Sequence, residues 1–442
     1  MRIQSLNNAT TIINSAEDRI ILDPWVVGDL YQNSWSPFPY FKNFKKYLKP
    51  ISHILISHLH QDHFDPETLK LIDKKAKVII PNLKFNSIMV KTLKELKFEN
   101  ISLLDLSCWH KISKNFSLYI IPPLNEMAQE LEKYEKLSEA NKSYIAIDTG
   151  FIINDHMTNT NHIFLGDNSP YDLKLFKKHI GNLKYSSYWF PYNGFAGDYP
   201  LCYDSLSIKE KKKISLNMSL IREQSNIEAI NLCKPEVTFP YSSDFSLHGK
   251  YKKDFFKVHD EEFFYKYKYA KRIKNLTKVK SIALYGDDFV KFSANGKVDC
   301  KLFSDQKQKT INKITKTKIK FPQVVNDKPI LEELNTSLKK MFERAEKFNL
   351  DTKKLHDWFL KIKTENNTYN LDFNNRIVHI DDRKKKVDKK ILILKTNENI
   401  IRALTQRKLH FDNAQIGCYL SWERYPNIYE KSIYDCLIFF HL

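Results

Sequence analysis

The chain has 442 residues, of which 42% are hydrophobic and 13% aromatic, with 29 Phe, 23 Tyr and 10 Gly, a balance that excludes a disordered or fibrous chain and whose length suits two domains. No stretch nears the roughly 20 apolar residues of a membrane span, and no apolar leader follows Met1. Six Cys without pairing spacings read as reduced thiols, so a cytoplasmic protein is expected. The formal charge of +19 rests on Lys spread along the chain, often beside Asp or Glu; it reads as solvated surface first and as a field attracting anionic substrates second.

In chain order, residues 10–23 predict two short strands with a polar turn, closing at Asp23-Pro24-Trp25. An aromatic, turn-rich loop follows over 28–40. The apolar run 52–57 predicts a buried strand. Asp65 before Pro66 marks a helix start, because Asp caps and Pro fits the first helical position. Strands are expected at 77–81, 101–106, 117–122, 144–148, 162–165 and 236–240. Helices are expected at 89–96, 126–141 (a lid or crossing segment), 173–179, 208–232 (long and amphipathic) and 255–280. The Lys- and Thr-rich stretch 301–322 reads as a linker. Beyond it come a helix at 330–348, strands within 368–380 and an aromatic final segment. The expected layout is therefore an α/β domain over 1–300, a linker over 301–327 and a smaller α+β region over 328–442.

His58-Leu59-His60-Gln61-Asp62-His63 follows the 52–57 strand directly. Two His one residue apart point the same way from extended backbone, and Asp62 and His63 can turn back toward the same point. Imidazoles with a carboxylate suit Zn²⁺, as one or two ions, and also iron or manganese. Three loop His without a ligand role are the plain alternative, and the density of donors argues against it. Asp167, closing the 162–165 strand, is a further ligand candidate, against a plain turn or capping role. His248 is the best late His, against an idle loop residue. Asp23 is placed to orient a ligand His from behind. His53 reads as a core or surface residue.

These residues resemble the metallo-β-lactamase superfamily, and more narrowly the metallo-β-lactamase-like part of CMP-N-acetylneuraminate hydroxylase and its bacterial relatives. The matching stretches are Leu22-Asp23-Pro24-Trp25 with Gly28 and Trp35-Ser36-Pro37, the His58–His63 motif, Phe164-Leu165-Gly166-Asp167, Phe195-Ala196-Gly197-Asp198-Tyr199-Pro200, Pro240 through His248, Ile416 through Leu420, and Arg424 through Tyr429. The resemblance implies an αββα sandwich and a site in which Asp62, His63, Asp167 and His248 hold one ion and His58 and His60 serve another. The loops 28–40 and 193–200, with Trp35, Phe195 and Asp198, are expected to shape the substrate pocket.

Two departures qualify it. The hydroxylases' Rieske cluster needs two Cys and two His. Cys108-Trp109-His110 has the first half of that pattern, and no Cys-x-x-His exists. The superfamily's middle His also has no counterpart: 122–126 holds none, His110 falls too early, and His156 and His162 sit in or beside other strands. The Asp62/His63 position is therefore expected to be the better formed.

The expected function is a metal-dependent hydrolase with Asp62 at its catalytic centre, acting on a small anionic sugar or nucleotide sugar. An oxygenase borrowing electrons from a separate redox partner is the first alternative. A nuclease has the charge in its favour and no aromatic-basic module to support it. A phospholipase lacks a membrane-binding amphipathic stretch, and an inert binding role completes the set.

Overall fold

The computed structural model describes residues 1–83, 86–124, 147–193, 198–303, 318–381 and 390–442. The helix expected at 126–141, most of the strand expected at 144–148, much of the linker, and Phe195 lie outside them.

Two large sheets form the body. The first has eight strands in the order Val298–Lys301, Phe289–Phe292, Arg2–Asn7, Thr10–Ser15, Asp18–Leu22, His53–Leu55, Lys77–Pro81 and Ile101–Leu104. The second has seven: Lys280–Ser281, Val237–Tyr241, Ser187–Pro191, Thr160–Phe164, Gly150–Asp155, Phe116–Ile121 and Trp109–Lys111. Alternating side chains go to opposite faces, so each strand feeds two layers. Ile20 and Leu22 enter the cluster between the sheets, with Leu55, Ile79, Leu118, Phe164, Trp189 and Phe239. Ile21, Ile54, Val78 and Ile80 face outward against Leu69, Met89 and Leu93 of the helices Pro66–Lys70 and Ser87–Glu95. Ile152, Ile163, Tyr188 and Phe190 face the other way, against Phe176, Ala229 and Ile273 of the helices Leu173–Ile180, Ile208–Cys233 and Lys266–Thr277. The order is helix, sheet, sheet, helix: the metallo-β-lactamase fold.

The local reasons are the expected ones. Asp65 accepts hydrogen bonds from the amides of Glu67 and Thr68, with Pro66 at the first helical position. The 26-residue helix Ile208–Cys233 starts with a capping box between Ser207 and Glu210. Its buried stripe differs from expectation: Lys211, Ser215, Ser219, Arg222 and Asn226 are buried on it, where an amphipathic helix would place apolar side chains. These groups meet the backbone of the neighbouring loop: Lys211 Nζ donates to Leu201 O at 2.7 Å, Arg222 Nη1 to Asn193 O at 2.9 Å, and Asn226 Nδ2 to Pro191 O at 2.9 Å. The single helix expected at 255–280 is three, Lys252–Val258, Glu261–Phe264 and Lys266–Thr277, interrupted where Asp260 caps the second by accepting from Glu262 N.

A third, five-stranded sheet lies beyond residue 350, in the order Ile377–Ile380, Thr368–Asp372, Trp358–Lys363, Lys390–Lys395 and Ser421–Tyr425. It packs Leu360, Ile362, Leu392 and Trp422 against Leu334, Leu338, Met341 and Ala345 of the helix Ile330–Lys347. The same apolar cluster continues into Trp25, Leu30, Trp35, Phe38, Leu201, Phe245 and Leu247. Trp35 and Phe245 stack with ring centroids 3.5 Å apart, on the two-stranded sheet Trp35–Pro37 and Phe245–Leu247. None of the helices among the described residues is long and apolar enough to cross a membrane.

Trp189 is fully buried between the sheets and stacks on Phe239, with centroids 4.1 Å apart. Trp189→Ala is expected to cost about 3–5 kcal/mol in urea unfolding, since the cavity opens where no side chain can follow it in.

Candidate metal centre

Strand direction gathers the site on one edge. Asp18–Leu22 and His53–Leu55 run parallel, so Asp23 and the His58 motif leave the same end of the first sheet. Thr160–Phe164 runs parallel to Ser187–Pro191, and that strand to Val237–Tyr241, so Asp167 and Ser242 leave the matching end of the second. Gly150–Asp155 runs antiparallel to Thr160–Phe164, which brings the residues just before it, Asp148 and Thr149, to the same edge. Thr149 Oγ1 fastens this corner to the motif by donating to Ser57 O at 2.7 Å.

Two groups of donors converge there: His58, His60 and Asp148, and His58, His63 and Asp167, each with its ligand atoms within 4.8 Å of one another. His58 Nε2 stands 2.9 Å from His60 Nδ1, 3.5 Å from Asp148 Oδ1 and 4.0 Å from Asp167 Oδ2. His63 Nε2 stands 3.3 Å from Asp167 Oδ2 and 3.4 Å from Asp62 Oδ2. Two ligands about 2.1 Å from one tetrahedral ion lie roughly 3.4 Å apart, so these spacings suit a common ion. His63 Nε2 is buried between Asp62 and Asp167, and these carboxylates with Asp23 raise the pKa of the ring well above its ordinary value against the effect of burial, so an incoming ion would take the place of the Nε2 proton. One nitrogen serves one ion. Were both positions filled, His58 would go with His60 and Asp148, and His63 would be left with Asp167 and its neighbour Asp62.

The protonation pattern follows from the partners behind the rings. Asp23, 2% exposed, accepts from Ser57 N at 2.7 Å and Ser57 Oγ at 2.9 Å, and meets His63 Nδ1 at 2.9 Å. Nδ1 of His63 therefore carries a proton. Ser57 Oγ, having given its proton to Asp23, accepts from His58 Nδ1 at 2.9 Å, which leaves His58 Nε2 bare. Burial lowers the His58 pKa to about 4, so that ring is neutral. His60 is also subject to burial, but the Asp412 and Asp148 carboxylates outweigh it and raise its pKa to about 9.

The carboxylates are held as firmly. Asp62 Oδ1 accepts from Tyr31 Oη at 2.9 Å and Oδ2 from Asn8 Nδ2 at 3.0 Å. Burial pushes the Asp62 pKa up, His63 pulls it further down, and the carboxyl sits below its ordinary value. Asp167, drawn well below the usual range by His63 against the effect of burial, accepts from Ser242 Oγ. Gly166 makes this approach with φ +61°, a conformation that strains any residue bearing a Cβ.

Of the residues singled out from sequence, the structure brings together His58, His60, Asp62, His63 and Asp167, with Asp23 behind His63. It does not bring His248 to them: its Nε2 is paired with Ser36 Oγ at 2.6 Å, and burial lowers its pKa. Trp35 lies in the core, donating from Nε1 to Ile416 O at 3.0 Å. Asp198 accepts from Gln415 Nε2 at 2.6 Å. Two residues went unnoticed. Asp148 gives His58 and His60 the partner that was sought among imidazoles, and a carboxylate just before a strand antiparallel to the Asp167 strand was the available signal. Asp412, whose Oδ2 is 3.4 Å from His60 Nε2, had no local signal at all.

Asp23→Asn is expected to weaken metal binding about 10–100-fold, read by metal content after dialysis, because the amide no longer fixes both rings. Below pH about 9 an incoming ion must displace a proton from His60, so apparent affinity should climb with pH up to that point, with proton release seen by calorimetry in two buffers.

Residues 2–122 match the beta-lactamase superfamily domain. A provisionally named Rieske 2Fe-2S iron-sulfur protein of Mycolicibacterium smegmatis is 27% identical over 206 residues, 46% of this chain and 36% of that one. A similarly named protein of Mycobacterium tuberculosis is 36% identical over 84 residues, 19% of this chain and 16% of its own length. The chain thus spans about a third or less of these relatives. Among solved structures, CmlA, a diiron beta-hydroxylase from Streptomyces venezuelae, is similar at 16% identity and TM-score 0.43, covering 64% of this chain and 52% of that one. Igni18, a metallo hydrolase from Ignicoccus hospitalis, is similar at 14% identity and TM-score 0.40, covering 69% of this chain and 99% of its own. Residues 2–122, with the His58–His63 motif at their middle, thus carry a beta-lactamase superfamily domain, and the donor groups of that motif with Asp148 and Asp167 could hold a metal ion.

Proposed function

We propose that the chain is a metal-dependent hydrolase of a small anionic substrate. The observation that carries this reading is the pair of donor groups that share His58, one completed by His60 and Asp148 and the other by His63 and Asp167. His58, His60 and Asp148, and His63 with Asp62 and Asp167, would hold the ions, which when bound would supply Lewis-acid chemistry for acidifying water and polarising a phosphoryl or carbonyl oxygen.

The chain's own residues do the rest. Asp62 holds a fixed negative charge at the centre, because Tyr31 and Asn8 both donate to it. The Tyr31 phenol, pushed well above its ordinary pKa by burial, remains a donor throughout the working pH range. Asp167 faces both groups and is held from behind by Ser242. The net charge of +19 favours an anionic substrate, and the resemblance favours a sugar or nucleotide sugar. With carboxylates matching imidazoles in number, iron or manganese suits the set as well as zinc.

A second reading, an oxygenase fed by a separate electron donor, draws on the mixed imidazole and carboxylate ligand set and on the Rieske-named relatives. Metal analysis followed by a screen of phosphodiesters, lactones and CMP-sugars tests the first. Turnover is expected and should fall at least about 100-fold in Asp62→Ala. Unchanged turnover in that variant would overturn the assignment. Oxygen uptake dependent on iron and an added ferredoxin, without hydrolysis, would favour the second.

A further inference from the structure

We propose that Asp412, contributed by the C-terminal region, is a positioning residue of the metal centre: it holds the His60 ring with Nδ1, not Nε2, toward the ion shared with His58 and Asp148. The inference rests on reading the cluster as a metal site.

Each ligand imidazole has one nitrogen for the ion and one that must be held by something else. The sheet edge serves two of the three, through Asp23 on His63 and Ser57 on His58. His60 lies farther out. Its Nδ1 faces His58 Nε2 at 2.9 Å and Asp148 Oδ1 at 4.0 Å, while its Nε2 faces Asp412 Oδ2 at 3.4 Å. A carboxylate on the far nitrogen fixes the tautomer, sets the ring plane and raises the basicity of the ligating nitrogen.

The Asp412 carboxylate is 36% exposed, but the segment that carries it is fastened at several points. It sits on the short helix Phe411–Ile416, which buries Phe411 and Ala414. Ser34 Oγ donates to Gly417 O at 2.6 Å, and Trp35 Nε1 donates to Ile416 O at 3.0 Å. Gln415 Nε2 donates to Asp198 Oδ2, and Tyr419 Oη donates to Tyr31 O at 2.7 Å. An isolated surface ion pair would need none of this anchoring and would contribute little. Here three of the four anchors run to the same loop that places Tyr31 on Asp62. The C-terminal region therefore supplies one side of the metal centre.

The test uses full-length metal-free protein titrated with Co²⁺, read by its visible absorption spectrum. Asp412→Ala is expected to bind Co²⁺ about 10–100-fold more weakly at one position, with a changed spectrum, while its metal-free melting temperature stays at the wild-type value. Asp412→Glu should restore most of the affinity, and Asp412→Asn should fall between, which also covers the case of an alanine variant that does not fold. Wild-type affinity and spectrum in Asp412→Ala and Asp412→Asn would overturn the inference and leave the metal reading standing. Absence of Co²⁺ binding by the wild-type protein would overturn both.

Discussion

Asp23 is the one carboxylate on which the metal cluster depends. It is buried, it closes its strand in a left-handed conformation (φ 42°), and its own amide is tied to Leu55 O at 2.9 Å. A buried carboxylate must collect donors or neutralise itself. Asp23 collects the Ser57 amide, the Ser57 hydroxyl and the His63 ring, and each of these contacts also determines something at the site. The amide fixes the start of the ligand loop. The ring contact turns His63 Nε2 inward. The hydroxyl contact passes the constraint on to His58. Two of three imidazoles thus derive their orientation from one side chain that never touches an ion.

How much of this was legible depends on how local each part is. The ligand motif could be read because its donors lie within six residues after an apolar strand, and the backbone periodicity places them without help. The strands around it could be read for the same reason. Asp148 was hidden by its chemical type: it meets His58 and His60 through the antiparallel pairing of two strands, and a search for imidazole passes over it. Asp412 joins His60 across some 350 positions of sequence, a separation at which no residue pattern carries information. The opposite error arose at His248, where a suitable residue type at a plausible place is turned by the Trp35–Pro37 pairing onto Ser36. The helix 208–233 was legible in length and partly opaque in facing, because its buried stripe joins Ala229, Ile230 and Cys233 in an apolar cluster to polar groups that answer backbone carbonyls.

The loop between Leu30 and Ser34 shows what tertiary contacts can impose on a chain. Tyr31, Gln32 and Asn33 are all left-handed, with φ of 50°, 54° and 66°. Non-glycine residues pay about 1–2 kcal/mol each for that conformation, so the run persists only where its surroundings hold it. Gln61 Oε1 accepts the Tyr31 amide at 2.9 Å, and Tyr419 Oη bridges the carbonyls of Tyr31 and Gln32. The strained turn is what delivers the Tyr31 phenol to Asp62.

The apolar cluster shared between the front loop and the third sheet bears on how the protein comes into being. During synthesis the strands of the two large sheets are complete before residue 330 leaves the ribosome, yet the apolar cluster that holds Trp25, Leu30, Phe38 and Leu247 also holds Leu334, Leu360 and Trp422. A nascent chain with both sheets folded therefore lacks part of that cluster, beside its candidate metal ligands, for several seconds at ordinary elongation rates of about 5–20 residues per second. Metal capture and chaperone contact would compete for the same edge of the molecule in that interval, and the arrival of the C-terminal region ends both.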